Sequence, residues 1–312
     1  MPELILHHYA MSPFAEKARL MLGGKKLAWQ SVIVPPVMPK PDLVALTGGY
    51  RRVPVLQVGA DVYCDTALIA DVLEHLQPEP TFFPEPEKGL ARTLAQWADT
   101  TLFAAAMAYS FQPQGVAEIF AGAPPETAQA FLADRAGMYG NQPPRMHPSD
   151  AAGALRSYLR RLSDMLDDRT FLLGSQPCIA DFSVYHCLWF VRRLRALHGV
   201  LNVAPAVLDW MDRMQGIGHG SFRKITAADA LAAARAAQPH TLLSDSTFQD
   251  DHGIALGSPV RVRAESFGLE ETHGRLVAAT RTHYTVARDS EATGLVHVHF
   301  PRLGYALRKA EG

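Results

Sequence analysis

The chain reads as an α/β domain over residues 1–78, an all-helical domain over 87–238 and a small β-rich module over 240–312. Three observations carry that reading. Strand-length apolar runs alternate with amphipathic helices up to about Gln77, and the proline-rich stretch Pro78–Pro86 then breaks the chain as a linker. After Pro239 the apolar period changes from helical to alternating. With 312 residues, 48% of them hydrophobic, the chain is long enough to bury more than one core.

In order, Leu4–Tyr9 is a short buried strand. Ser12 caps the helix that follows, and Pro13 takes the first helical position, where its missing N–H costs nothing. Phe14, Ala18, Met21 and Leu22 share a face of that helix, and Gly23-Gly24 ends it. Leu27–Val34 supplies a second strand, and the prolines from Pro35 to Pro41 read as a loop. Val53–Val58 and Asp61–Cys64 pair as a hairpin about Gly59-Ala60. Asp65 then caps a helix in which Ile69, Val72, Leu73 and Leu76 recur at i, i+3, i+4 and i+7, an apolar face that must pack on the sheet.

The end of that hairpin is also a candidate site. A helix N-terminus presents unpaired N–H groups to a carboxylate or phosphate, and Thr66 adds a hydroxyl, although Asp65 and Thr66 are equally ordinary capping residues. Pro54 opens its strand without a ladder donor, and the amide groups of Val53 are left for an extended peptide to pair with. Together these features describe a site for a small anionic peptide.

Beyond the linker, Leu90, Leu94, Trp97 and Ala98 give one long helix, Pro124-Pro125 and Pro143-Pro144 bracket another, and Asp150–Asp168 holds a third. Cys178–Val191 clusters Ile179, Phe182, His186, Trp189 and Phe190 at helical spacing, with His186 read as a core histidine. An alanine-rich helix opens on the capping box Thr226-x-x-Asp229. The module offers strands at Val260–Ala264, Leu276–Ala279, Tyr284–Ala287 and Val296–Phe300; closing them into a separable β-barrel would remove their edges. His283, His297 and His299 read as a solvated strand face rather than a metal site, because no carboxylate or cysteine completes a ligand set at recognisable spacing.

The charge balance is net -1 with a pI near 6.9, which gives no footprint for nucleic acid or an anionic membrane, and no stretch approaches the length of a membrane span. Cys64, Cys178 and Cys187 lack CxxC spacing, which argues for a reducing compartment, by default the cytoplasm.

The order of elements and three motifs resemble the glutathione S-transferase superfamily, with its thioredoxin-like N-terminal domain and all-helical C-terminal domain. Ser12-Pro13-Phe14, with Lys17 and Arg19 after it, is similar to the serine-type active-site turn of the tau-like members. Arg52-Val53-Pro54 resembles the stretch that holds glutathione beside a cis-proline, and Asp65-Thr66 stands where the family receives the γ-glutamyl end. A glutaredoxin-like site would carry cysteines where this chain has Ser12 and Ala15, so disulfide exchange is excluded. The resemblance implies glutathione as co-substrate, Ser12 as the catalytic hydroxyl, and Phe14, Arg52, Val53, Pro54, Asp65 and Thr66 as its binding residues. Tyr9 and His8 compete for the catalytic role, since other members carry a tyrosine at the end of the first strand.

The resemblance also implies a homodimer, and a hydrophobic electrophile lying against Phe103, Met107, Tyr109 and Phe111. Transfer of the glutathione thiolate is the expected reaction. A non-catalytic scaffold, or a glutathione-dependent isomerase, peroxidase or dehalogenase, is the alternative. The module from His240 onward lies outside the resemblance. One departure falls at Cys178, which replaces the hydroxyl of the family's Ser/Thr-x-x-Asp capping box.

Overall fold

The computed structural model describes residues 2–140, 146–240, 242–243, 245, 247–249 and 251–310. The N-terminal part contains β1 (Leu4–His8), α1 (Pro13–Gly24), β2 (Trp29–Ile33), α2 (Pro41–Thr47), β3 (Val55–Val58), β4 (Asp61–Cys64) and α3 (Thr66–Leu76). The helical part follows with α4 (Lys88–Trp97), α5 (Phe103–Ser110), α6 (Pro113–Ile119), α7 (Pro125–Tyr139), α8 (Pro148–Leu166), α9 (Ile179–Arg192) and α10 (Pro205–Gly216). A three-residue strand β5 (Phe222–Lys224) and α11 (Ala227–Ala236) lead to β6 (Pro259–Ala264), β7 (Thr272–Ala279), β8 (His283–Ser290), β9 (Gly294–Pro301) and β10 (Tyr305–Lys309).

Ten strands form one sheet in the order β10-β6-β7-β8-β9-β4-β3-β1-β2-β5. β1 and β2 are parallel, as a helical crossover requires, and β3 and β4 are antiparallel, as a two-residue hairpin allows. The period of two divides the side chains between two cores. Leu4 and Leu6 of β1, Leu56 and Val58 of β3 and Tyr63 of β4 point into a core shared with α1, α3 and the helical domain. Ile5, Val55, Val62 and Cys64 point to the other face, where they meet Val260, Val262, Val286, Val298 and Phe300 of the C-terminal strands.

That shared core corrects the expectation of a separable barrel. The appended β module is present, but β9 pairs in parallel with β4, Asp61 opposite His297 and Tyr63 opposite His299, instead of closing on β10. The unpaired edge of β4 offers the same backbone bonds that closure would have supplied, together with a ready apolar face. The module docks further onto α2: Thr272 donates its hydroxyl to the Thr47 carbonyl at 2.9 Å, and Arg288 donates to the Ala45 carbonyl at 3.1 Å. Gly49, with φ +146°, sits where any Cβ would collide with the Glu271 carbonyl oxygen.

Other differences are local. The proline-rich loop continues into α2, started by Pro41 at its first helical position. The expected long helix is interrupted by a π-helical turn over Ala98–Leu102. Pro143 and Pro144 lie outside the described residues. β5 is only three residues long, and β10 ends in Arg308 and Lys309 with little alternation, so neither announces itself, yet the two form the edges of the sheet. At Cys178 the capping box still forms with the thiol in place of the hydroxyl, the Cys178 side chain facing the Asp181 amide, and the Asp181 carboxylate accepts the amides of Cys178 and Leu172 and the indole N–H of Trp210, each at 2.9 Å. The three histidines expected on a solvated strand face do not form one, and His297 is half-buried. His283 and His299 are buried, and His299 Nε2 meets Asp61 Oδ1 at 2.8 Å across the β4–β9 seam.

Candidate functional site

The site is assembled where the C-terminal end of β1, the start of α1, the segment before β3 and the start of α3 converge. Ser12 is buried and caps α1, its Oγ accepting the Ala15 amide at 3.2 Å, so its O–H proton remains to donate. Phe14, on the first turn, packs its ring 4.5 Å from that of His186 and 4.7 Å from that of Phe103, which fixes the turn against the helical domain. Beneath them Asp99 joins Lys17, at 2.6 Å, to His186, at 2.9 Å; both bonds satisfy cations or donors that α1 and α9 bury. Asp99 is desolvated by burial, but Lys17 and His186 outweigh this and hold its carboxyl below the usual range.

Of the two rivals of Ser12, His8 is engaged through both ring nitrogens, whereas the Tyr9 hydroxyl, like that of Ser12, only accepts and keeps its own proton to donate. His8 is bonded to Ser31 and to Arg19, and burial with the neighbouring Arg19 pushes its pKa down to about 3. The Tyr9 hydroxyl accepts from Arg135 of α7 at 3.2 Å.

The second half of the site surrounds Arg52, Asp65 and Thr66. Val53-Pro54 is a cis peptide and Val53 precedes the β3 ladder, which begins at Val55. Asp65 caps α3 through Oδ1, which accepts the Ala67 amide at 3.0 Å, with φ at +76°, a backbone region a β-carbon disfavours. Its Oδ2 accepts the hydroxyl of Tyr305 at 3.0 Å, and Tyr50 and Tyr305 hydroxyls lie 3.1 Å apart. Thr66 Oγ1 and the Nε and Nη2 of Arg52 are buried with no hydrogen-bond partner. Arg52 is pulled down by burial, but Tyr305, Tyr50, Asp65 and Glu270 around it outweigh this and raise its pKa. Orphaned donors of this kind are uncommon in a folded chain, because a buried donor without a hydrogen-bond partner is costly.

Lys40, Arg51 and Arg135, which the sequence did not single out, complete the charge. Lys40 is buried beside Tyr9 and donates to the Arg51 carbonyl at 3.1 Å. Burial first, then Arg135 and Arg51, bring its pKa down to about 8. Arg51 pairs with Asp134 and, at 3.0 Å, with Glu270. Lys40, Arg51, Arg52 and Arg135 thus face Asp65, Asp134 and Glu270, leaving one positive charge.

Two segments roof this cluster. α7 turns Phe131, Asp134, Arg135 and Met138, one face at helical spacing, toward it, and Arg135 also donates to the Pro36 carbonyl at 2.8 Å. The β6–β7 loop brings Phe267 to 5.7 Å from the Arg52 guanidinium, and the Gly268 amide bonds the Met138 carbonyl at 2.8 Å. That face of α7 mixes charge with apolar groups, so no apolar stripe marked it in the sequence. Beside the Ser12 turn, Met11 joins Met107, Tyr109, Phe111 and Trp189 against the buried Phe190, Leu194 and Leu197. Among the described residues no group of three or more His, Cys, Asp or Glu is placed to hold a metal ion, and no helix is long and apolar enough to cross a membrane.

A thioredoxin-like domain carrying a capped serine turn, a cis-proline and an acidic helix start, with an all-helical domain packed on it, defines the class. The family models for the glutathione S-transferase N-terminal domain and C-terminal domain match residues 6–81 and 126–213. A GST-like protein from Pseudomonas syringae is 40% identical over 99% of this chain and 100% of its own, with a TM-score of 0.83. A glutathione S-transferase from Rhodospirillum rubrum, 20% identical, and FzlA from C. crescentus, 22% identical, each cover 68% of this chain; they cover 87% and 88% of their own, with TM-scores of 0.52 and 0.51. No curated protein matches. The chain belongs to the glutathione S-transferase superfamily.

Proposed function

We propose that the protein binds glutathione between the cis-proline segment and the start of α3 and transfers its thiolate to a hydrophobic electrophile. The observation that carries the reading is the set of buried, unpartnered donors on Arg52 and Thr66 beside the Asp65 carboxylate. Glutathione carries two carboxylates and one ammonium, a net charge that complements the site's single positive excess. Its γ-glutamyl carboxylate would take the Thr66 hydroxyl and the start of α3, its ammonium Asp65, its cysteinyl backbone Val53, and its glycyl carboxylate the Arg52 side, with Lys40 beyond.

Ser12 then acts by donating to the sulfur. A thiol of pKa about 8.5 is only about 3% ionised at pH 7, so activation means lowering it by about two units, roughly 2.7 kcal/mol. A hydroxyl bond to a charged group contributes roughly 1.5–3 kcal/mol and the helix start about 0.3–1. The electrophile would lie against Phe14, Phe103 and the wall of Met11, Met107, Tyr109 and Phe111. Free, buried Cys64, Cys178 and Cys187 suit a cytoplasmic setting, and family membership supports a homodimer, to be checked by sedimentation.

The test is retention on immobilised glutathione followed by ultraviolet titration of the bound thiolate. Wild type should be retained, and Asp65→Ala/Thr66→Ala should pass through. Ser12→Ala should still bind, with the bound thiol's pKa raised by a unit or more and conjugation slowed in step. An unchanged pKa in Ser12→Ala, with the rise in Tyr9→Phe instead, would move the role to Tyr9. Binding without any lowered thiol pKa would favour a scaffold.

A further inference from the structure

The Asp65 carboxylate stands at the ligand end of a hydroxyl chain that begins in the second core. Tyr305 donates to Asp65 at 3.0 Å, so the Tyr50 hydroxyl, 3.1 Å from that of Tyr305, is the donor to it. Both rings are buried and packed against Phe300, at 5.7 Å and 5.5 Å. The guanidinium of Arg52 lies 5.9 Å from the Tyr305 ring. Tyr305 belongs to β10, 240 residues from Asp65 in sequence, and lies against both Asp65 and Arg52.

We propose that Tyr305 is a positioning residue for ligand selection: by fixing Asp65 it makes the site discriminate for a ligand bearing an α-ammonium group, so the C-terminal strands belong to the binding site. The inference rests on the glutathione reading above. With Oδ1 held by the Ala67 amide and Oδ2 by Tyr305, the carboxylate has one orientation, and its remaining lone pairs accept only from a donor placed beside Thr66. An ammonium of the γ-glutamyl type, next to a carboxylate bound at Thr66, meets that demand. Without the Tyr305 hydroxyl the carboxylate could turn about its Cβ–Cγ bond, and an ammonium would gain little over a hydrogen atom.

The probes are glutathione and its deamino analogue, glutaryl-cysteinyl-glycine, titrated calorimetrically into the full-length protein. Wild type should prefer glutathione by about tenfold or more, the range of a hydrogen bond to a charged group. Tyr305→Phe keeps the ring and its packing; the preference should fall below about threefold while affinity for the deamino analogue stays unchanged. Tyr50→Phe, which removes the donor to Tyr305, should lower the preference by a smaller factor and serves as the second variant should Tyr305→Phe unfold. Equal weakening of both ligands would mean a purely structural role and would overturn the proposal, as would an unchanged preference or a wild type without preference. A wild type that binds neither ligand would instead refute the glutathione reading itself.

Discussion

Lys40 makes a buried charge measurable without any ligand. The residue is 3% exposed, and its Nζ donates to the Arg51 carbonyl and is held from the ordinary value of 10.5 down to about 8 by burial, Arg135 and Arg51, against the pull of Asp134 and Glu270. In the unfolded chain it regains the ordinary value. Below pH 8 both states are protonated, and the native state carries the full cost, about 3 kcal/mol at 1.36 kcal/mol per unit. Between pH 8 and about 10.5 the native state has released a proton that the unfolded state still holds, so the slope of stability against pH is positive. Wild type should therefore gain about 2–3 kcal/mol relative to Lys40→Met between pH 7 and pH 10. Urea unfolding of both proteins at the two pH values measures it, since the comparison cancels the other titrating groups. A difference that does not change with pH would refute the reasoning. A carboxylate bound near Lys40 would restore its proton, so S-methylglutathione, which has no thiol to titrate, should bind at pH 8.5 with net proton uptake, read from the dependence of calorimetric heat on buffer ionisation.

Two further outcomes follow from the sheet. A chain ending at Gln238 uncovers the β4 edge and one wall of the second core, and should lose both cooperative unfolding and retention on glutathione; a soluble, binding fragment would show that the module is dispensable. Gly49→Ala should destabilise the protein by about 2 kcal/mol in urea, because the φ of +146° and the Glu271 carbonyl leave no room for a methyl group; a change under about 0.5 kcal/mol would mean that the β6–β7 loop yields.

What the sequence made legible was whatever rests on local pattern. The capped turn at Ser12, the hairpin around Gly59 and the apolar face of α3 each follow from a few adjacent residues and stand where expected. Lys40 was hidden because Pro41, read as a loop residue, in fact starts a helix only seven residues long. Tyr305 and Phe267 were hidden for a different reason: their contacts with Asp65 and Arg52 span more than 200 residues, and no periodicity within β10 or the β6–β7 loop encodes them. The histidines were misjudged because alternation in Val296–Phe300 identifies two faces without saying what lies beside them: Tyr63 of the neighbouring strand β4 stacks on His299, and Asp61 bonds it.

The parallel seam between β4 and β9 also bears on how the protein is made. A strand pair separated by 236 positions, Asp61 and His297, closes one of the longest loops the chain contains, and such pairings form late because their entropy must be spent before any contact repays it. While a ribosome is still extending the chain, the thioredoxin-like part can gather its βαβ unit and hairpin, but β4 remains an uncovered edge and Asp65 lacks its tyrosine. Ligand binding would then report a finished chain rather than a finished N-terminal domain, and the interval between the two is when a chaperone, or a neighbouring nascent chain, has its opportunity at that edge.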